Sequence, residues 1–284
     1  MKSIVPESIS KQFICEVNMT ERCNYTCSYC VQHPGGNDPM QVDFNKLFSI
    51  DYDNDTLFYI CGGEPTLSKH FVRTIKEIYD RGFTNIVVQS NLTFNVSRIL
   101  SELNNIPVMF NASYHIEHAS FNKFVSVCRV LKDNLSLGDI HCMWTSQNHD
   151  EIIKKFELLQ KIHNRVYLEP TIDFVDKGSN EIKKFLDLDL LKYNTRLTNT
   201  IFVDGRPMTL GEAMADQMHY KTKGCKCYVS KHTVVYYVNE NRFYHCTVDS
   251  INKTPFNINN FNRGVVVCNN DICNQDLEYK KLNN

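Results

Sequence analysis

Across residues 13–190, short apolar runs alternate with stretches whose apolar side chains recur at helical spacing. Phe13–Met19 reads as a strand, and a weaker helical stretch follows around Phe44, Leu47 and Phe48. Leu57–Cys61 is a second strand, ending at Gly62-Gly63-Glu64-Pro65. Phe71, Ile75 and Ile78, at i, i+4 and i+7, then mark a helix that Gly82 stops. Ile86–Gln89, Val108–Ser113, Ile140–Thr145 and Val166–Glu169 supply four more strands. Helical patterns stand between and after them at Val96–Leu103, Phe121–Leu131, Ile152–Leu159 and in a charged segment from about Asn180. Six β/α units in this order imply an α/β fold with a parallel sheet and right-handed crossovers. An incomplete barrel and a doubly wound open sheet both produce this string.

After about residue 195 the pattern changes to hairpins. Ile201–Met208 is expected to turn at Asp204-Gly205, and Thr233–Val238 with Arg242–His245 at Asn239-Glu240-Asn241. Asn252–Gly264 is Asn-rich and loop-like. The expected division is a β/α domain over 1–195 and a small β-hairpin unit over 196–284.

Composition narrows the class. The 284 residues carry a net charge of −1, with 42% hydrophobic and 22% charged side chains, which excludes disordered and fibrous proteins. That balance offers no broad basic surface for nucleic acid. No apolar run reaches the ~18–20 residues of a membrane span. The N-terminal residues lack the apolar core of a signal peptide, so the expected location is cytoplasmic, with thiols kept reduced. Against that background, 12 cysteines are too many to ignore. Cys15, Cys61, Cys128 and Cys142 sit singly in apolar stretches and are expected as small buried hydrophobes. The other eight fall into two groups.

Cys23, Cys27 and Cys30 share one short loop after the first strand. Three soft ligands hold three irons of a [4Fe–4S] cluster and leave the fourth open, whereas zinc wants a fourth ligand. The Cys-x3-Cys-x2-Cys spacing, with Tyr29 before the last Cys and Gly62-Gly63-Glu64-Pro65 ending the second strand, resembles the radical S-adenosylmethionine (radical SAM) superfamily. The resemblance covers about residues 13–190. It implies a partial (β/α)6 barrel, with SAM chelated to the open iron. It also implies reductive cleavage of SAM to a 5′-deoxyadenosyl radical that abstracts hydrogen from a substrate, and an electron donor such as flavodoxin or ferredoxin. It further implies that Glu64, with Gly62, Gly63 and Pro65, meets the amino group of SAM. Ser90 and Asn91 would meet the ribose, with Ser113 also on the cofactor, and Tyr29 would lie by the adenine, largely through its backbone. No glycine-rich adenine motif stands at the fifth strand, where Cys142-Met143-Trp144-Thr145 occurs.

The second group is Cys225, Cys227, Cys246, Cys268 and Cys273. Four thiols close a [4Fe–4S] or a zinc site. Their order around a hairpin resembles the twitch/SPASM-like auxiliary-cluster domain that follows the barrel in some radical SAM enzymes. Cys227, Cys246, Cys268 and Cys273 fit that pattern as ligands of a second [4Fe–4S] cluster. Cys225 is then surplus or replaces Cys227. His115 and Glu117, after the fourth strand, are candidates for substrate contact or proton movement, set against a solvated loop that caps the next helix. A peptide or protein is the first expectation for the substrate, a small metabolite the second and nucleic acid the third. A non-catalytic Fe–S or zinc module is the reading outside enzymes.

Overall fold

The computed structural model describes residues 12–30, 41–171, 180–203, 206–215, 226–227, 229–246, 255–258, 261, 263–264, 266–267 and 280–281. Six parallel strands appear in the expected order: β1 (Ile14–Asn18), β2 (Leu57–Cys61), β3 (Ile86–Ser90), β4 (Val108–Tyr114), β5 (Leu137–Trp144) and β6 (Val166–Pro170). The intervening helices are α1 (Phe44–Leu47), α2 (Phe71–Asp80), α3 (Val96–Leu103), α4 (Phe121–Asp133) and α5 (His149–Gln160), and α6 (Asn180–Asp187) follows β6. Local chemistry sets their ends. The Asn95 side chain accepts from the Arg98 N–H at the start of α3, and Asn104 closes it in the left-handed region at φ 48°. β5 begins three residues before the expected Ile140, because its Leu137-Gly138-Asp139 start carries turn-type residues yet pairs with β4 across an irregular register.

The strands alternate between two environments. Phe58, Ile60, Val88, Phe110, Ile140, Cys142, Trp144 and Leu168 point outward and are fully buried against helix residues such as Ile75, Ile78, Cys128 and Phe156. Each such side chain contributes about 1.5–3 kcal/mol of burial. The inward positions are Tyr59, Gln89, Ser113, His141, Met143, Tyr167 and Glu169, a polar set facing one open interior. The sheet therefore curls into a partial barrel with a polar lumen.

The second hairpin is continuous with this barrel. After the hairpin β7 (Thr200–Val203) and β8 (Arg206–Thr209), helix α7 (Leu210–Ala215) and short strand β9 (Lys226–Cys227), strand β10 (Thr233–Tyr237) pairs in parallel with β1. Strand β11 (Arg242–Tyr244) pairs antiparallel on β10, giving the order β11-β10-β1-β2-β3-β4-β5-β6. The run Thr-Val-Val-Tyr-Tyr of β10 is buried on both faces, as a sheet-interior parallel strand should be, and Val234, Tyr236 and Phe243 belong to the main core. β9 pairs antiparallel with β12 (Val266–Val267) and β13 (Lys280–Lys281). The expected turn residues Asp204 and Gly205 lie outside the described residues.

Three of the four isolated cysteines, Cys15, Cys128 and Cys142, are fully buried in the core as expected. Cys61 is not. It is half-buried on the inward side of β2, two residues from Tyr59, and its thiol donates to Glu16 Oε1 at 3.3 Å. Strand period 2 accounts for this, since Phe58 and Ile60 take the outward side.

Candidate functional site

The C-terminal ends of β1 and β2 are sewn together by backbone. The Met19 N–H donates to Cys61 O at 2.9 Å, the Gly63 N–H to Thr20 O at 2.6 Å and the Glu64 N–H to Arg22 O at 2.8 Å. A Cβ at Gly62, where φ is +128°, would lie 2.4 Å from Thr20 O, and one at Gly63 would lie 2.2 Å from Arg22 O. Only a glycine pair lets the chain entering the cysteine loop lie this close to the end of β2.

Glu64 turns away from the cavity that its neighbours line. It is fully buried, and one carboxylate oxygen accepts from the Thr66 N–H (3.2 Å), the Thr66 hydroxyl (2.5 Å) and the Ser90 hydroxyl (2.9 Å). The other accepts from the Asn91 N–H at 2.8 Å. Burial pushes its carboxyl up from the ordinary range, and these hydrogen bonds counter part of that shift. Glu64 thus joins β2 to β3, where the resemblance had it facing an amino group. Pro65, buried at the start of a short 3-10 turn, likewise does not line the cavity. Ser90 is held by Glu64. Asn91 reaches back to the cysteine loop, its side-chain amide donating to Asn24 Oδ1 at 2.9 Å and to Cys23 Sγ at 3.9 Å. The next residue, Leu92, sits in the left-handed region at φ 59°, strain of the kind stored at functional loops.

The loop after β4 docks on the cysteine loop from the opposite side. Glu117 accepts from the Ser28 N–H at 2.8 Å and from its hydroxyl at 2.5 Å. His115 Nδ1 is 3.0 Å from the Tyr29 hydroxyl and 3.5 Å from Cys27 Sγ, and the Tyr29 ring stacks on the imidazole. The Tyr25 ring stacks on His118 at 5.1 Å. Burial, with a smaller push from His118, lowers His115 to about 4, so its imidazole is neutral. Burial likewise pushes the Cys27 thiol up to about 12 and raises Cys23. Glu117 is therefore committed to the cysteine loop and does not line the cavity. His115 lines the cavity while contacting that loop, and Tyr29 lines it too, its side chain meeting His115.

What these contacts surround is a cavity of about 340 Å³ at the C-terminal edge of the strands. Cys23, Cys27, Cys30, Tyr29, Gly62 and Gly63 line one side, and Ser90, Asn91, Ser113 and His115 another. Gln89, Met143, Glu169 and Thr171 complete it without having been singled out from sequence. The signal for Gln89, Met143 and Glu169 was polar or flexible residues at alternate strand positions between apolar ones, and Thr171 follows directly after β6. A second cavity of about 440 Å³ continues into the lumen, sharing Gln89, Ser113, Met143 and Glu169 with the first and adding Tyr59, His141 and Arg196. Across the two, the Tyr59 hydroxyl donates to Gln89 Oε1 at 2.6 Å, and the Gln89 amide donates to Ser113 Oγ.

The thiol set suits a multi-iron cluster. Three sulfurs on one tetrahedral ion would stand about 3.8 Å apart. Among the described residues, the set of three ligand atoms within 4.8 Å of one another is instead Cys27, Glu117 and His118, and its carboxylate is already taken up by Ser28. The thiols are spread more widely around one cavity. In the C-terminal region, Cys227 and Cys246 are buried together with Val229 in a small separate cluster. Cys225, Cys268 and Cys273 lie outside the described residues.

Fold and site together define a partial parallel α/β barrel with a thiol-lined ligand cavity at its strand ends. This is the radical SAM barrel fold, and solved structures share it. SuiB of Streptococcus suis, solved bound to S-adenosylmethionine, superposes with a TM-score of 0.55 at 12% identity, over 87% of this chain and 61% of SuiB. Native anSMEcpe with bound AdoMet and the Kp18Cys peptide gives 0.56 at 17% identity, over 88% and 78%. In sequence, the S-adenosylmethionine-dependent nucleotide dehydratase of Selenomonas ruminantium is 28% identical over 91 residues. That match spans 31% of this chain and only 33% of the dehydratase. No family model matches the chain. Among the described residues, no helix is long and apolar enough to cross a membrane.

Proposed function

We propose that this chain is a radical SAM enzyme in which Cys23, Cys27 and Cys30 hold a [4Fe–4S] cluster and the adjoining cavity takes SAM. The observation that carries the reading is the single cavity onto which the three thiols, the Gly62-Gly63 backbone and the ends of β3 and β4 all open. Its volume, about 340 Å³, is within the ~300–1,000 Å³ of ligand sites. When bound, cluster and SAM supply one-electron cleavage to methionine and a 5′-deoxyadenosyl radical, chemistry that belongs to the cofactor. The chain's own part is positional. Gly62 and Gly63 let the end of β2 pack against the chain entering the cysteine loop, Glu64, Ser90 and Asn91 fix the loops around the cavity, and Ser113 and Gln89 present polar groups at its inner end.

The lumen behind that cavity is where the substrate's reacting carbon belongs. Its walls, with Tyr59, His141, Glu169 and Arg196, suit a small polar group. A peptide side chain and a compact metabolite both present one. Peptide-bound anSMEcpe supports the first and the dehydratase match supports a nucleotide derivative as the second. Cys227, Cys246, Cys268 and Cys273 form the ligand set proposed for an auxiliary [4Fe–4S] cluster within residues 196–284, with flavodoxin or ferredoxin as electron donor.

Anaerobic reconstitution with iron and sulfide tests the reading. Absorption near ~400 nm that bleaches on reduction, with roughly eight irons per chain, is expected for two clusters. Adding SAM and dithionite should release 5′-deoxyadenosine, and Cys27→Ala should abolish it. A colourless chain that takes up zinc alone refutes the proposal.

A further inference from the structure

Cys27 differs from Cys23 in the groups that face it. Cys23 Sγ receives the Tyr25 backbone N–H at 3.4 Å and the Asn91 amide at 3.9 Å. Cys27 Sγ instead faces the His115 imidazole, with Nδ1 at 3.5 Å, and the Tyr29 hydroxyl is 3.0 Å from that same nitrogen. The imidazole has little freedom to leave. The Tyr29 ring lies parallel to it at 14° with centroids 6.0 Å apart, and the Tyr25 ring meets it edge-on at 73°. Two residues on, Glu117 holds both the N–H and the hydroxyl of Ser28, the residue between Cys27 and Tyr29. The loop after β4 is thus locked to the cysteine loop at the point where His115 meets the sulfur.

A cysteine bound to iron is a thiolate and only accepts hydrogen bonds. With the proton on Nδ1, the His115 N–H donates either directly to that sulfur or to the Tyr29 oxygen, whose own O–H then donates to the sulfur. Both arrangements aim one proton at Cys27. Hydrogen bonds to cluster sulfurs stabilise the reduced form and raise its potential. We propose that His115, assisted by Tyr29, is a positioning residue that sets the reduction potential of the cluster through Cys27. The inference rests on the reading that Cys23, Cys27 and Cys30 hold the cluster, and it assigns His115 to the cluster rather than to the substrate.

The test is a potentiometric titration of the reconstituted full-length protein, following the reduced-cluster EPR signal that changes on adding S-adenosylmethionine. His115→Phe should lower the reduced-to-oxidised ratio at a fixed poise about tenfold, a midpoint shift of ~59 mV for one electron. His115→Asn, whose amide N–H replaces the Nδ1 donor, should restore most of that ratio, and Tyr29→Phe should lower it by less than His115→Phe. His115→Phe with wild-type iron content and an unmoved midpoint overturns the proposal, as does His115→Asn falling as far as His115→Phe. If the Phe variant takes up no iron, His115→Leu is compared with His115→Asn on the same scale. A wild-type chain that binds no iron refutes the cluster reading itself, an outcome visible before any potential is measured.

Discussion

Gly63→Ala perturbs the joint between the strand scaffold and the cysteine loop without touching a thiol. The added Cβ would lie 2.2 Å from Arg22 O, 2.6 Å from Arg22 C and 2.9 Å from Glu21 O. All three neighbours are backbone atoms, so no rotamer change relieves the contact, and the two segments must part by about 1 Å to reach ordinary separation. That movement strains the Gly63 N–H to Thr20 O and Glu64 N–H to Arg22 O bonds, at 2.6 and 2.8 Å. Two hydrogen bonds and an overpacked contact together amount to ~2–6 kcal/mol. The strain falls on the loop that carries Cys23, so iron uptake should drop before the barrel melts. The assay is iron and sulfide per chain after anaerobic reconstitution, beside a thermal melt by circular dichroism. Gly82→Ala is the control: φ is +94° but no atom lies within 4 Å of the added Cβ. It should lose about 1–2 kcal/mol through backbone strain alone and load iron normally. If Gly63→Ala loads iron and melts like the wild type, the close approach of these segments is not what positions the loop.

Three further perturbations separate scaffold from chemistry. Glu117→Ala removes the acceptor for the Ser28 N–H and hydroxyl, about 1–3 kcal/mol of charge-assisted bonding, and should speed iron loss to a chelator several-fold while lowering the melting temperature by only a few degrees. Glu64 is raised by burial above its ordinary 4.5, so its contribution to stability is present below pH 4.5 and is lost as pH rises through the raised value. Urea melts of wild type against Glu64→Gln should show the wild type losing relative stability over that window, and a pH-independent difference would refute the assignment. Cys246→Ala, in the cluster of Cys227 and Val229, should cut iron from about eight to about four per chain. Unchanged iron content would remove Cys246 from the auxiliary ligand set.

The choice of a barrel over an open sheet came from the radical SAM resemblance. The order of six parallel strands was readable because apolar strand runs alternate with helices that keep one apolar face, as Phe71, Ile75 and Ile78 do on α2. The pairing of β10 with β1 was not, since Ile14↔Thr233 joins residues more than two hundred positions apart and nothing in either run marks an unfilled sheet edge. The cysteine triplet and the glycine pair were readable because thiol spacing and close backbone approach are sequence-local. The roles of Glu64, Asn91 and Glu117 were not. Each is a polar residue on a strand-end loop, and such residues bind a ligand or bind one another, depending on which loop comes within hydrogen-bond reach. Here Glu64 meets Ser90 and Asn91, Asn91 meets Asn24, and Glu117 meets Ser28, so all three hold the mouth in shape.

Under the proposed function, substrate choice would rest on a different set of residues from those that carry the motif. In a parallel strand covered on both faces, every position should be apolar. Tyr59, Gln89, His141, Tyr167 and Glu169 break that rule at alternate positions on four of the barrel strands, and all five face the lumen. All five are only partly buried, and Tyr59, Gln89 and Glu169 already bond within the lumen wall to Gln89, Ser113 and Asn194, so the lumen presents an ordered set of polar groups. Glu169 carries this furthest. One of its oxygens accepts from the Asn194 amide at 2.8 Å, and it stands where the thiol-lined cavity opens into the lumen. On the proposed reading, a group presented there would lie between the cavity assigned to S-adenosylmethionine and the barrel interior, within reach of a radical formed at the strand ends.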